Sequence, residues 1–289
     1  MRHENVSIRF DRRQIEMKKW KLGASVKDFS KLDEYARHFD FLEIDLEKAM
    51  DFFNASPTSI SELGSVAEAI MPYKEKIYSV HLRYNPAPEC GMGGIDATIR
   101  DLYVFAVDLI REIPVRMFVT HTDYPTNSAQ FEEQVRILSH HADRLSTHLA
   151  IENLCDRKDK THGYLTPRNP RDIAELLEKI GNPFLGLCID TGHAISNAAL
   201  TDSLNWDNDL IRKWVSHFHY NDNTTRMDAH MPISSATDER IIASFKHMLE
   251  QSANSGVVIF ENRKLGEAIQ SLGFVQTPAY VDIAPAPMR

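Results

Sequence analysis

Six short apolar runs in this chain end on a carboxylate or an imidazole, and that repetition constrains the fold more than any other feature. The runs are Ile77–His81, Val115–His121, Leu149–Glu152, Leu187–Asp190, Trp214–His219 and Gly256–Glu261. A short apolar stretch bounded by polar residues reads as a strand of a buried parallel sheet. Each run therefore places a possible metal ligand where a strand ends. Strand ends converge on one face in a parallel barrel, and barrel enzymes build their sites there.

The segments between these runs carry helical periodicity. Phe29, Leu32, Tyr35, Ala36 and Phe39 share one face over Asp28–Phe39, and Leu63, Val66, Ala67 and Ile70 do so over Ser61–Pro72. A helix over Ile95–Ile113 stops at Pro114, which cannot donate the next backbone bond. Asn127–Leu145 is helical, and Asn169, Pro170 and Gly181 mark the cap, first turn and end of another helix. Further helices are expected near Asp202–Arg212, after a Thr237 cap, and over Lys264–Leu272. With Lys21–Val26 and Phe41–Leu46 as the first two strands, eight strands alternate with eight helices, which predicts an α/β fold of the (β/α)8 TIM-barrel type.

The expected organisation is an N-terminal extension over 1–20, one barrel domain over 21–272 and a C-terminal tail over 273–289. That tail is expected to lie on the surface or fray from Thr277. With 289 residues, 43% of them hydrophobic, one large domain is the natural reading. The net charge of -8 argues against a broad basic face for nucleic acid. No stretch is apolar enough to span a bilayer, and the first residues lack a signal-peptide core, so no membrane partner is expected. Three cysteines without a CxxC pair imply no disulfide framework, and a cytoplasmic location is the resulting expectation. Cys155 and Cys188 read as packing residues rather than nucleophiles. Neither a GxGxxG turn after a strand nor a P-loop is present.

The residues His81-Leu-Arg-Tyr84, Ile151-Glu152-Asn153, Cys188-Ile-Asp190-Thr-Gly-His193, His219-Tyr-Asn-Asp222, Asp228-Ala-His230 and Phe260-Glu261 together resemble the xylose isomerase-like TIM-barrel superfamily. That superfamily includes sugar phosphate isomerases/epimerases and the endonuclease IV group, the family 2 AP endonucleases. On the isomerase side, the resemblance implies one divalent ion (manganese, magnesium or cobalt) held by Glu152, Asp190, His219 and Glu261. On the endonuclease side, it implies up to three zinc-like ions. His81, His121 and Glu152 would serve the first, the same four residues the second, and His193, Asp228 and His230 the third.

Glu43 and Asp45 make the second strand look like the Glu-bearing second strand of the sugar enzymes. The first strand lacks the Gly-Ala-His-x-Ser of the endonucleases, and His121-Thr-Asp-Tyr-Pro125 stands where they show His-Pro-Gly. The expected activity is therefore a metal-dependent isomerisation or epimerisation of a small carbohydrate. Glu152 and Glu261 would transfer the proton, and Tyr84 and His193, the latter in a loop after the sixth strand, would contact substrate. The alternative is a zinc-dependent phosphodiesterase acting on abasic DNA. His217 is expected deeper in the barrel as a hydrogen-bonded core residue.

Overall fold

In the computed structural model, eight parallel strands close into a barrel in chain order, with the first paired to the last. They are β1 Lys21–Val26, β2 Phe41–Asp45, β3 Ile77–His81, β4 Met117–Thr120, β5 Leu149–Glu152, β6 Leu185–Asp190, β7 Val215–His219 and β8 Val257–Phe260. The structure describes residues 20–53, 60–82, 113–122, 128–154, 169–198, 208–223, 228–252 and 256–283, with backbone alone for 60–63 and 197–198. The expected helix over 95–113 (but for its last residue), the loops over 83–94 and 155–168, Tyr84, Cys90 and Cys155 lie outside the described residues.

The two-residue side-chain period of a strand sorts the barrel into an outer and an inner core. Leu42, Ile44, Val80, Phe118, Ile151, Leu187, Phe218 and Phe260 join the large cluster shared with the helices. Met117, Val119, Ala150 and Cys188, with Tyr78 beside them, form a separate small cluster inside the barrel. Above that apolar floor the inward positions turn polar. The register shifts at Leu42/Glu43 and at Leu187/Cys188, so local irregularities fall next to that polar layer.

The best-marked helix, Pro170–Ile180, has Asn169 accepting from the Arg171 N–H and Gly181 at φ 69° closing its end. Left-handed backbone there suits glycine, which has no Cβ to clash. Other boundaries differ from the sequence reading. Phe29–Lys31 is a 3-10 turn leading into the helix Leu32–His38, and a short helix, Leu46–Phe52, directly follows β2. The sequence reading passes over that helix. Asp45 creates it, because its side chain accepts from the Lys48 N–H at the first turn.

Asp238, not Thr237, caps Glu239–Gln251. Thr237 Oγ1 instead donates to Asp222 at 2.7 Å. The helix expected near Asp202 is described only as Asp209–Trp214.

The tail also needs correction. The last long helix runs over Leu265–Val275, past the expected end at Leu272, and Pro278–Asp282 forms a further helical turn. Tyr280 is buried against Phe274 and Tyr220. Lys246 Nζ, buried in its own helix, donates to the carbonyls of Tyr280, Val281 and Ile283 at 3.0, 3.0 and 2.6 Å. A cation on the last carbonyls of a short helix is favourable, and here it ties the segment through Ile283 to the body. At the other end Trp20, assigned by sequence to the extension, is buried with its indole N–H on the Leu249 carbonyl at 3.1 Å. Lys246→Met should therefore destabilise the protein by about 1.5–3 kcal/mol, the scale of hydrogen bonds to a charged group, in a denaturant titration.

Candidate metal centre

Each of the eight strands delivers one ionisable side chain to the barrel mouth. In order these are Lys27, Asp45, His81, His121, Glu152, Asp190, His219 and Glu261, at the strand ends or within one residue of them. All are buried except Lys27 and His121, which are partly buried. The last six are legible in the sequence. Lys27 goes unread and Asp45 is read only as a mark of the second strand; their signal is the alternation Gly23, Ser25, Lys27 and Glu43, Asp45 on the inward positions.

Glu152, Asp190, His219 and Glu261 each offer one ligand atom, all within 4.8 Å of one another. His219 Nδ1 lies 3.2 Å from Glu152 Oε1 and 3.0 Å from Glu261 Oε2. Among the described residues, none of these three atoms has an aligned hydrogen-bond partner, although each is fully buried. Unpartnered buried polar atoms are expensive, and three carboxylates sharing one enclosed site repel each other. Lone pairs converging without hydrogen-bond alignment are what a cation site offers. The donor set of three carboxylates and one imidazole suits a divalent ion of the manganese, magnesium, cobalt or zinc class.

Two further groups flank this one. His81, His121 and Glu152 form the first, with Glu152 Oε2 at 3.0 Å from His81 Nε2 and 3.6 Å from His121 Nε2. His193, Asp228 and His230 form the other, with Asp228 Oδ1 at 2.7 Å from His230 Nε2 and 3.4 Å from His193 Nε2. All nine sequence-derived candidates are thus in one mouth, and Tyr84 alone lies outside the described residues.

The rings are aimed by the backbone. The carbonyls of Leu82, Asn153 and Glu261 accept from Nδ1 of His81, His193 and His230, each at 2.8 Å. A carbonyl only accepts, so each Nδ1 carries a proton and Nε2 is the nitrogen that faces the carboxylates. A metal-ligating histidine is oriented in this way. His230 also holds a left-handed φ of 48°, and the Asn262 amide steadies that turn by donating to the His230 and Met231 carbonyls. Non-glycine residues in that region cost energy and cluster at functional sites.

His193 is not in a loop. It occupies the first turn of a helix, Thr191–Ala198, because Asp190 Oδ1 accepts the His193 N–H at 2.7 Å. Asp190 thus caps a helix and faces the site with the same carboxylate. Asn153 and Asn221 fix it: Asn153 exchanges two bonds with the Asp190 backbone, and Asn221 Nδ2 donates to Asp190 Oδ2 at 2.9 Å. Both asparagines escape a linear reading, since their partners lie more than thirty residues away.

Charge in the mouth is balanced among neighbours. Burial, reinforced by the nearby Glu261 and Glu152 charges, pushes Asp190 up to about 7 against the pull of His193. Burial opposes ionisation of Glu152 and Glu261 too, yet the surrounding histidines, and Lys27 for Glu261, hold both well below the usual carboxylate range. His121 is driven down to about 3 by burial, while the bond and charge of Glu152 lift His81 to about 9 despite its burial. Lys27 Nζ bonds Asp45 Oδ2 at 2.6 Å and Glu261 Oε1 at 2.8 Å, closing the β1, β2 and β8 ends over one ammonium.

A family model for the xylose isomerase-like TIM barrel matches residues 32–277. The chain belongs to that family. This xylose isomerase-like barrel has no significant match among curated protein sequences. Among solved structures, a D-tagatose 3-epimerase-like protein superposes with TM-score 0.64 at 18% identity, covering 91% of this chain and 97% of the other. The IolI protein with a bound zinc atom gives 0.60 at 17% identity over 93% and 100% of the two chains. The E. coli 3-keto-D-glucoside 4-epimerase in its apo form gives 0.57 at 17% over 91% and 97%.

His217 packs below the xylose isomerase-like mouth as the sequence suggests, fully buried and bonded to Glu43 at 2.9 Å. Cys188 has metal-ligand spacing to His217 and His219, but burial pushes its thiol pKa up and it belongs to the inner apolar floor. Gly192 is required by close approach. A Cβ there would sit 1.8 Å from Asn221 Oδ1, on the side chain that fixes Asp190. Gly192→Ala should cost about 1–3 kcal/mol of stability, the scale of overpacking, in equilibrium unfolding of the metal-free protein.

Proposed function

We propose that this protein is a divalent-metal-dependent isomerase or epimerase of a sugar or sugar phosphate. The observation that carries the proposal is the buried set Glu152, Asp190, His219 and Glu261, with two glutamates reaching one imidazole nitrogen from different strands. Those four residues would hold the cation. In such a set a divalent ion supplies Lewis acidity, which acidifies a C–H next to a carbonyl. The structural relatives support a polyol substrate: D-psicose 3-epimerase was solved in the presence of D-fructose and a D-allulose 3-epimerase in complex with D-allulose.

The residues divide the work. Glu152 is held through Oε2 by His81, and its carboxylate, which also borders the cation set, would take the carbon proton. Glu261, on the β8 side, returns to the opposite face or to the neighbouring carbon a proton that it takes from solvent, while Glu152 releases its own to solvent, so the proton count is unchanged. Lys27 anchors Glu261 through Oε1 and so fixes that carboxylate in the mouth. His193, with its ring fixed by the Asn153 carbonyl, steadies a substrate hydroxyl through Nε2. General acid–base groups must be held within hydrogen-bond reach of the atoms they serve, and the bonds from His81 and Lys27 would fix the two glutamates for that task.

A second reading has its own supporting observation. His81, His193 and His230 all carry Nδ1–H on a backbone carbonyl with Nε2 turned to a carboxylate, which suits two more cations beside the first. Three ions would favour a zinc-dependent phosphodiesterase of the endonuclease IV type acting on abasic DNA.

Elemental analysis of untagged protein separates the two: one ion per chain supports the sugar enzyme, and two or three zinc ions support the phosphodiesterase. Glu152→Gln and Glu261→Gln should each lower turnover of the sugar substrate by about 100-fold or more, the usual scale of acid–base catalysis. Solvent deuterium should enter the product at carbon. Its absence, or robust metal-dependent nicking of an abasic duplex, would reverse the order of the two readings.

A further inference from the structure

One layer below the mouth, a carboxylate with no place in the proposed chemistry sits in the centre of the barrel. Glu43 is fully buried, projecting inward from β2. Its Oε2 is anchored twice, by Ser79 Oγ at 2.8 Å and His217 Nε2 at 2.9 Å. Its Oε1 makes no aligned hydrogen bond and lies 3.0 Å from His219 Nε2. That contact comes from below, on the ring edge opposite the one facing Glu152 and Glu261.

His219 differs from the other histidines of the site in how it is held. His81, His193 and His230 have Nδ1 on a main-chain carbonyl and present Nε2. His219 presents Nδ1, and both of its nitrogens lack an aligned hydrogen bond. A neutral imidazole carries one proton. If Nδ1 offers its lone pair to a cation, the proton belongs on Nε2, and the carboxylate oxygen facing Nε2 is Glu43 Oε1. We infer that Glu43 is the positioning residue for His219: anchored by Ser79 and His217, it receives Nε2–H and turns Nδ1 up into the cation site. A carboxylate behind a ligating imidazole fixes the ring and strengthens the ligand. The inference rests on the reading that Glu152, Asp190, His219 and Glu261 bind a divalent ion. It adds a residue that contacts neither cation nor substrate.

The test uses cobalt(II) as the probe on full-length, metal-free protein, with affinity from calorimetry and the ligand field from visible absorption. Glu43→Gln should weaken cobalt(II) binding by about 10- to 100-fold and alter the absorption bands. Ser79→Ala, which removes an anchor of Glu43 and is not itself one of the four residues, should weaken binding less. Melting of the metal-free variants reports any purely structural loss, which should not track the loss of affinity. Should Glu43→Gln fail to fold, histidine 15N shifts of the unaltered, zinc-loaded protein decide the matter: His219 should be metallated on Nδ1 and protonated on Nε2. Metallation on Nε2, or unchanged cobalt(II) affinity in Glu43→Gln, overturns this inference alone. No cobalt(II) uptake by the unaltered chain overturns the metal-binding reading and this inference together.

Discussion

Burying several carboxylates in one enclosed space is the constraint on which the rest of this structure depends. Glu43, Asp45, Glu152, Asp190 and Glu261 all lie inside the closed barrel, where an uncompensated charge would cost several kcal/mol. The compensation is assembled from several strands. Lys27 answers Asp45 and Glu261, His81 answers Glu152, and Ser79 and His217 answer Glu43. What is left over is the inward edge of Glu152, Glu261 and His219, where atoms converge without hydrogen bonds. The proposed cation belongs at that residue of unmet charge.

The barrel makes such crowding possible because its scaffold needs no polar help. The outward strand positions and the helices form a continuous apolar shell, and a small apolar floor of Met117, Val119, Ala150 and Cys188 closes the interior from below. The polar layers can then be held by side chains and main-chain carbonyls whose positions the strands already fix. Gly192 shows how tight this is, since the chain passes close enough to Asn221 to leave no room for a methyl group.

Much of this was legible in the sequence, for a physical reason. A buried parallel strand is nearly all apolar, so a His, Asp or Glu at its end stands out, and Asp190 and Glu261 were visible on that basis. Strands β1 and β2 gave a weaker signal: Gly23, Ala24 and Ser25 are small, and Glu43 and Asp45 interrupt the apolar run. Lys27 therefore goes unread, and Glu43 and Asp45 are legible only as marks of the second strand. The placement of His193 in a loop failed because Asp190 caps a helix with the carboxylate it turns to the site, and a single residue read along the chain shows only one role. The packed segment through Ile283 was hidden because its anchor, Lys246, looks like a surface lysine until the fold brings three carbonyls to it.

The central claim is that the four-residue set, and not merely the barrel mouth at large, binds a divalent cation. Anomalous diffraction from crystals grown with manganese(II) tests it most directly. The account predicts an anomalous peak bounded by Glu152, Asp190, His219 and Glu261, with Nδ1 as the His219 ligand. A peak confined to other residues, or manganese-grown crystals with no peak in the mouth, would contradict it.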